Sequence, residues 1–305
     1  MNKEITFAGF RKIEKPSEAE IIVYGMPLCT PYPGSQANPS LKSPDAVRAA
    51  SQKYALMTDN YDFDLEGPLL DGKFIRTGDL GNLSTTDDAA RNRALLLETT
   101  ENILKNNGLP ILLGGDDSIP IPYFQAFAML DIVHLVQIDA HMDWRDEVKG
   151  ERFGYSSTMK RASEMPFIVS ITQVGMRGVG SAGEKEIKSA MEYGVGIFTA
   201  DSVRKNGVER VLDRIPEGGS VLVTLDCDGL DPTVIPAVNA PSPGGLQYHH
   251  VTGLIHGIAR KAKIVGFDMV ELAPDKDING LSALTAARFV WNVIGSAVRS
   301  PFFGI

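Results

Sequence analysis

The sequence lacks most of the features that quickly reveal a compartment or a partner. It has only two cysteines, Cys29 and Cys227, far apart in the chain. Neither a disulfide framework nor a thiolate zinc site can be built from them, and a reducing cytoplasm is the expected setting. It is also short of positive charge, with 30 Lys and Arg against 38 Asp and Glu and a net charge of -8. A nucleic-acid or anionic-membrane partner would need a basic footprint, so neither is expected. No apolar run approaches the roughly 20 residues of a membrane span. The opening stretch MNKEITFAGFRK lacks the apolar core of a signal peptide. Repeats, low-complexity tracts and a linker able to split the chain are missing too. What is present is an ordinary globular composition, 43% hydrophobic and 22% charged. The 305 residues are therefore read as a single domain, 1–305.

Short apolar, β-branched runs alternate with helical patterns. Strands are expected over 20–24, 74–76, 109–113, 132–138, 167–174, 195–199, 220–225 and 264–270. Helices are expected over 87–107, 118–130, 181–193, 208–215, 248–263 and 282–298. In the first of these, Leu96, Thr100 and Ile103 share one side and Gly108 forms the stop. Runs such as IVHLVQI are almost continuously apolar, as in a parallel sheet with helices on both faces. The stretch 27–44 carries five prolines and is read as a long ordered loop. The fold class that follows is α/β, a doubly wound parallel sheet of about eight strands.

Open parallel sheets place ligands beyond the carboxyl ends of their strands, and acidic residues gather at those points. Asp116 and Asp117 follow ILLGG, while Asp139, His141 and Asp143 follow HLVQI. Asp226 and Asp228 follow VLVTL, and Asp268 and Glu271 follow IVGF. Alternation along a strand end would point Asp139, His141 and Asp143 one way, and Asp226 and Asp228 likewise. Converging carboxylates repel unless cations sit among them, and two divalent ions bridged by carboxylate oxygens are the usual solution. The bland alternative for any single Asp, Asp117 above all, is a turn former or helix N-cap.

The motifs DAHMD, TLDCDGLDP with a later PGGL, GGDDS, and DMVELAP followed by LTAARFV resemble the ureohydrolase superfamily of agmatinases, arginases and formimidoylglutamases. The resemblance runs from about Gly25 onward. It implies an arginase-like fold and hydrolysis of a guanidinium group to urea with two metal ions, manganese or nickel. It places the second ion on Asp139, His141, Asp226 and Asp228. The first would fall to Asp139, Asp143, Asp226 and a histidine, for which this chain has Asp117. By the same resemblance Asp143 orients the attacking water and takes up its proton, and Glu271 grips the guanidinium, as a planar bidentate partner can.

Three departures bear on activity. Asp117 adds a negative charge, and a carboxylate about 4 Å from the attacking water would oppose its ionisation by about 4 kcal/mol at an effective dielectric of 20. Tyr155 stands where relatives carry a proton-shuttling histidine, and a phenol of reference pKa near 10 is poorly matched to that task. The loop from Pro236 to Pro243 lacks the GTGTP-like stretch of agmatinases, so agmatine does not follow as substrate. His134 reads as a core residue of a strand, and His249, His250 and His256 as the exposed face of a late helix. The first reading is a degenerate subunit supporting an active paralogue, as in guanidine- or biguanide (metformin)-type hydrolases. It would bind one ion tightly, keep at best a weak second site, and assemble as a homo- or hetero-oligomer, a trimer or hexamer. The alternative is an active dinuclear amidinohydrolase of a small guanidino or biguanide compound.

Overall fold

The computed structural model describes residues 5–30, 32 and 39–304. Nine strands among them are β1 (Arg11–Lys12), β2 (Ile21–Gly25), β3 (Thr77–Asn82), β4 (Leu109–Leu113), β5 (Val133–Ile138), β6 (Ile168–Met176), β7 (Gly196–Thr199), β8 (Ser220–Asp226) and β9 (Lys263–Val270). They form one sheet in the order β1-β3-β2-β4-β9-β8-β5-β6-β7. Every neighbouring pair is parallel. The helices are α1 (Ser43–Ser51), α2 (Ala89–Lys105), α3 (Pro120–Gln125), α4 (Thr158–Ala162), α5 (Glu184–Tyr193), α6 (Ala200–Asn206), α7 (Glu209–Leu212), α8 (Tyr248–Lys261) and α9 (Leu281–Arg299).

Every residue of β2 and β4 is buried, because both faces of the sheet are covered. Strand alternation sends Ile21, Val23, Ile111 and Leu113 to one core with α8 and α9. Ile22, Tyr24, Leu112 and Leu135 go to the other, with α2 and α3. α2 begins where Asp88 accepts hydrogen bonds from the amides of Ala90 and Arg91, the ordinary work of an N-cap. Leu96, Thr100 and Ile103 form its buried side. By length and composition α9 is one helix among the described residues able to cross a membrane. Fourteen of its nineteen residues are buried, however, and it packs on α1, α8 and β9 as a core helix.

Three elements differ from expectation. The strand expected at 74–76 starts three residues later, at Thr77, past the end of the expected range, and Phe74 is 95% exposed. The actual strand, TGDLGN, has poor β-propensity. It is held by tertiary contacts, chiefly the buried ion pair of Asp79 with Arg48 on α1 at 2.8 Å. The helix expected over 118–130 divides into α3 and a 3₁₀ turn at Ala126–Met129. Of the loop expected over 27–44, residues 31 and 33–38 lie outside the described ones. Its end, Pro39–Lys42, is a 3₁₀ turn leading into α1.

Candidate metal centre

The acidic clusters follow β4, β5, β8 and β9, and the sheet order makes these the adjacent strands β4-β9-β8-β5. With neighbours about 4.8 Å apart, four distant segments end within a few ångströms of one another. The convergence does not arise from strand alternation, as the sequence suggested. β5 stops at Ile138, and residues 139–143 are a loop in which Asp143 holds a left-handed φ of 44°. That loop lies tight against its neighbours. A Cβ on Gly229 would meet the Asp139 amide nitrogen at 2.8 Å, and Gly175, at φ +108°, lies against the Asp139 carbonyl oxygen.

Two overlapping ligand groups result. Side-chain atoms of Asp117, Asp139 and Asp143 lie within 4.8 Å of one another, as do those of Asp139, His141 and Asp228. Asp139 belongs to both and has no solvent exposure. Burial drives the carboxyls of Asp117, Asp139 and Asp226 well above the usual range, and neighbouring carboxylates push them further. Asp117 Oδ2 is buried without a hydrogen-bond partner, while its amide donates to Glu271 Oε1 at 3.0 Å. It is not a cap. An orphaned buried oxygen beside two more carboxylates, next to a group carrying one imidazole, fits two divalent cations of the oxygen-preferring kind. His141 Nδ1 lies 3.2 Å from Asp228 Oδ2 and 3.5 Å from Asp139 Oδ1. The bond to Asp228 raises its pKa against the opposing effect of burial. Asp226 lines the same pocket but joins neither group, and its Oδ1 accepts from the Asp228 amide at 2.7 Å. Asp116 is the turn former: it accepts from the Ser118 amide and hydroxyl and from the Thr30 amide. Burial still pushes its carboxyl up to about 6.

The clusters open into a cavity of about 730 Å³ whose wall includes Tyr155, Asn239, Glu271 and Lys276. Glu271 also has a left-handed φ, 61°. Its Oε2 accepts from Asn239 Nδ2 at 3.2 Å and from Ser40 Oγ at 3.3 Å. Tyr155 packs on Tyr32 with ring centroids 4.5 Å apart. Burial, then Glu271 and Asp116, raise its phenol pKa. His141 is the only histidine among the described lining residues. His134 Nδ1 pairs with the Ser170 hydroxyl inside the sheet. His256, expected on an exposed face, instead hydrogen-bonds Asn292 Oδ1 at 2.9 Å between α8 and α9.

Sequence reasoning missed the supports of this centre. Gln137 Nε2 donates to Asp139 Oδ2 at 2.6 Å and to Asp143 Oδ2 at 2.9 Å. Its Oε1 accepts from Gln173 Nε2 at 2.5 Å, which also donates to the Met142 carbonyl. Arg177 donates to the carbonyls of Asp228, Gly229, Leu230 and Ser242, clamping the turn that presents Asp228. The available signal was a glutamine in each of two apolar strands, VHLVQI and ITQVGM, since a buried polar side chain needs a partner.

Residues 19–295 match the model of the arginase family. The chain is 28% identical over 287 residues to an agmatinase of Pyrococcus horikoshii, covering 92% of this chain and 93% of that protein. It is 33% identical over 210 residues to the N(1)-aminopropylagmatine ureohydrolase of Thermus thermophilus, covering 68% and 69%. Among solved structures, the agmatine ureohydrolase of Thermoplasma volcanium superposes with a TM-score of 0.80 at 26% identity, over 97% of this chain and 95% of that one.

Proposed function

The chain belongs to the arginase family, and from that premise we propose that its pocket holds two divalent cations and the guanidinium end of a small guanidino compound. By itself it releases urea slowly, and it serves as a subunit beside an active homologue. The family is built on a dinuclear metal centre, acts on guanidino substrates and is commonly oligomeric. Asp117, Asp139, His141, Asp143, Asp226 and Asp228 would hold the ions. Manganese or nickel bound there would supply charge that polarises and acidifies a water. Asp143 would orient that water and receive its proton. Glu271, held beside Asp117 by the bond from its amide, would accept hydrogen bonds from the guanidinium.

The observation that carries the slow-turnover reading is Tyr155. It stands on the cavity wall with a raised phenol pKa, and the one lining histidine, His141, is engaged with Asp139 and Asp228. A proton carrier works best with a pKa near the working pH, and a phenol does not meet that. The other reading, an active enzyme, is favoured by Asp117, whose orphaned oxygen completes the first ion's ligand group without a histidine.

Urea release by the isolated, metal-loaded chain separates the two. Little or no urea from guanidine, agmatine or guanidino acids is expected, together with an oligomer by light scattering. Changing Asp117→His and Tyr155→His together should restore hydrolysis, and each alone less, because the two positions act as a unit. Brisk turnover by the unmodified chain, abolished by Asp228→Ala, would establish the active enzyme instead.

A further inference from the structure

The cavity has one basic side chain on its wall, and that side chain is held in place. Among the described lining residues Lys276 is the only Lys or Arg, against Asp116, Asp117, Asp143, Asp226, Asp228 and Glu271. Its body is exposed, yet its ammonium is fixed by two acceptors, the Val238 carbonyl at 3.1 Å and Asn239 Oδ1 at 3.1 Å. An ammonium carries three donors, so one N–H remains beyond these two bonds to meet a ligand. The same amide of Asn239 gives its Nδ2 to Glu271 Oε2 at 3.2 Å. Lys276 therefore also dictates the orientation of that amide, since a flipped Asn239 would turn its NH₂ toward a cation.

The relay Lys276–Asn239–Glu271 sets a length. The oxygen and nitrogen of an amide are about 2.3 Å apart, so the contacts keep the ammonium within about 9 Å of the Glu271 carboxylate. Resting on the reading of Glu271 as the guanidinium partner, we infer that this site selects ω-guanidino acids, with a carboxylate two or three methylenes from the guanidinium. Lys276 is the residue that reads the acid. The guanidinium lies against Glu271 and the carboxylate reaches back to the free N–H of Lys276, in a charge-assisted bond. A guanidino compound ending in an amine would bring a second cation against Lys276, and like-charge contact discriminates as strongly as attraction.

Calorimetric titration of the manganese-saturated chain with 4-guanidinobutyrate, agmatine and guanidinium chloride tests this. The unmodified chain should bind the acid about tenfold or more tightly than the amine. Lys276→Gln should bring the two within about twofold, and Lys276→Glu should make agmatine the tighter ligand. Equal or tighter binding of agmatine by the unmodified chain would overturn the inference. So would a loss shared equally by all three ligands in the Lys276 variants, which would mean that Lys276 only positions Asn239. If none of the three binds, it is the guanidinium reading of the pocket that fails. If guanidinium and agmatine bind and the acid gains nothing, only the acid preference fails.

Discussion

Gln137 is where a single neutral residue does most for the centre. Asp139 and Asp143 are buried carboxylates that share a ligand group and repel one another. The two N–H bonds of one Gln137 amide tie them together at 2.6 and 2.9 Å. The amide cannot flip, because its oxygen is engaged by Gln173. Partners of this kind, one step behind the ligands, are worth about 10–100-fold in metal affinity. Gln137→Leu should therefore weaken manganese binding by about that factor while the fold persists. Calorimetry and metal content after dialysis would check it, and two ions retained at unaltered affinity would refute it. Asp143 and Glu271 add a different cost, since each holds a left-handed φ that a residue with a Cβ resists. Such strain persists where the surroundings over-determine it, and here the two residues expected to handle water and guanidinium bear it.

Among the elements, α9 carries the heaviest polar anchoring. Its Arg288 donates to Asp62 and Asp64, and Tyr248 of α8 donates to Asp64 at 2.6 Å. Burial alone would raise both carboxyls, but Arg288 at Asp62, and the Tyr248 hydroxyl together with Arg288 at Asp64, outweigh it and hold them below their usual values. Depressed carboxyl pKa values give stability that is full above the unfolded value, about 4, and is lost as pH falls through the folded values. Arg288→Met should cost about 2–3 kcal/mol at pH 7 and flatten the loss of stability between neutrality and pH 3. Urea unfolding at both pH values measures it; an unchanged pH slope would count against the assignment. The elements also divide by how legible they were. β4 and β8 were plain in sequence because burial on both faces writes an apolar run. β3 was misplaced because Asp79 and Arg48, not propensity, hold it. The proposed ligands Asp139, His141, Asp226 and Asp228 were legible as strand-end pairs, and Asp117 was ambiguous until its oxygen proved orphaned. Asn239 and Lys276 were invisible, since their roles depend on which loops the sheet order brings together.

At the scale of the whole molecule, the sheet order joins segments far apart in the chain. β9 inserts between β4 and β8, pairing Ile111 with Phe267 on one side and Leu225 with Met269 on the other. All six proposed ion ligands precede residue 229, yet Asp117 follows β4 while the others follow β5 or lie at the end of β8. Until β9 is in place no sheet pairing joins β4 to β8, and the tie of Asp117 to the Asp143 loop rests on Thr158, so the ligand group that includes Asp117 depends on a late long-range pairing. Non-local pairings of this kind form slowly, because loop closure must precede the contacts that reward it. Refolding should therefore show secondary structure first and ion capture last. Far-UV circular dichroism followed in parallel with cobalt absorption would reveal the lag, and simultaneous phases would contradict it. On that order a newly made chain would pass through a stage with two open sheet edges, at β4 and β8, each ready to accept a strand from another molecule. How long that stage lasts sets how far the protein's yield in the cell depends on chaperones, on temperature and on the speed of its own synthesis.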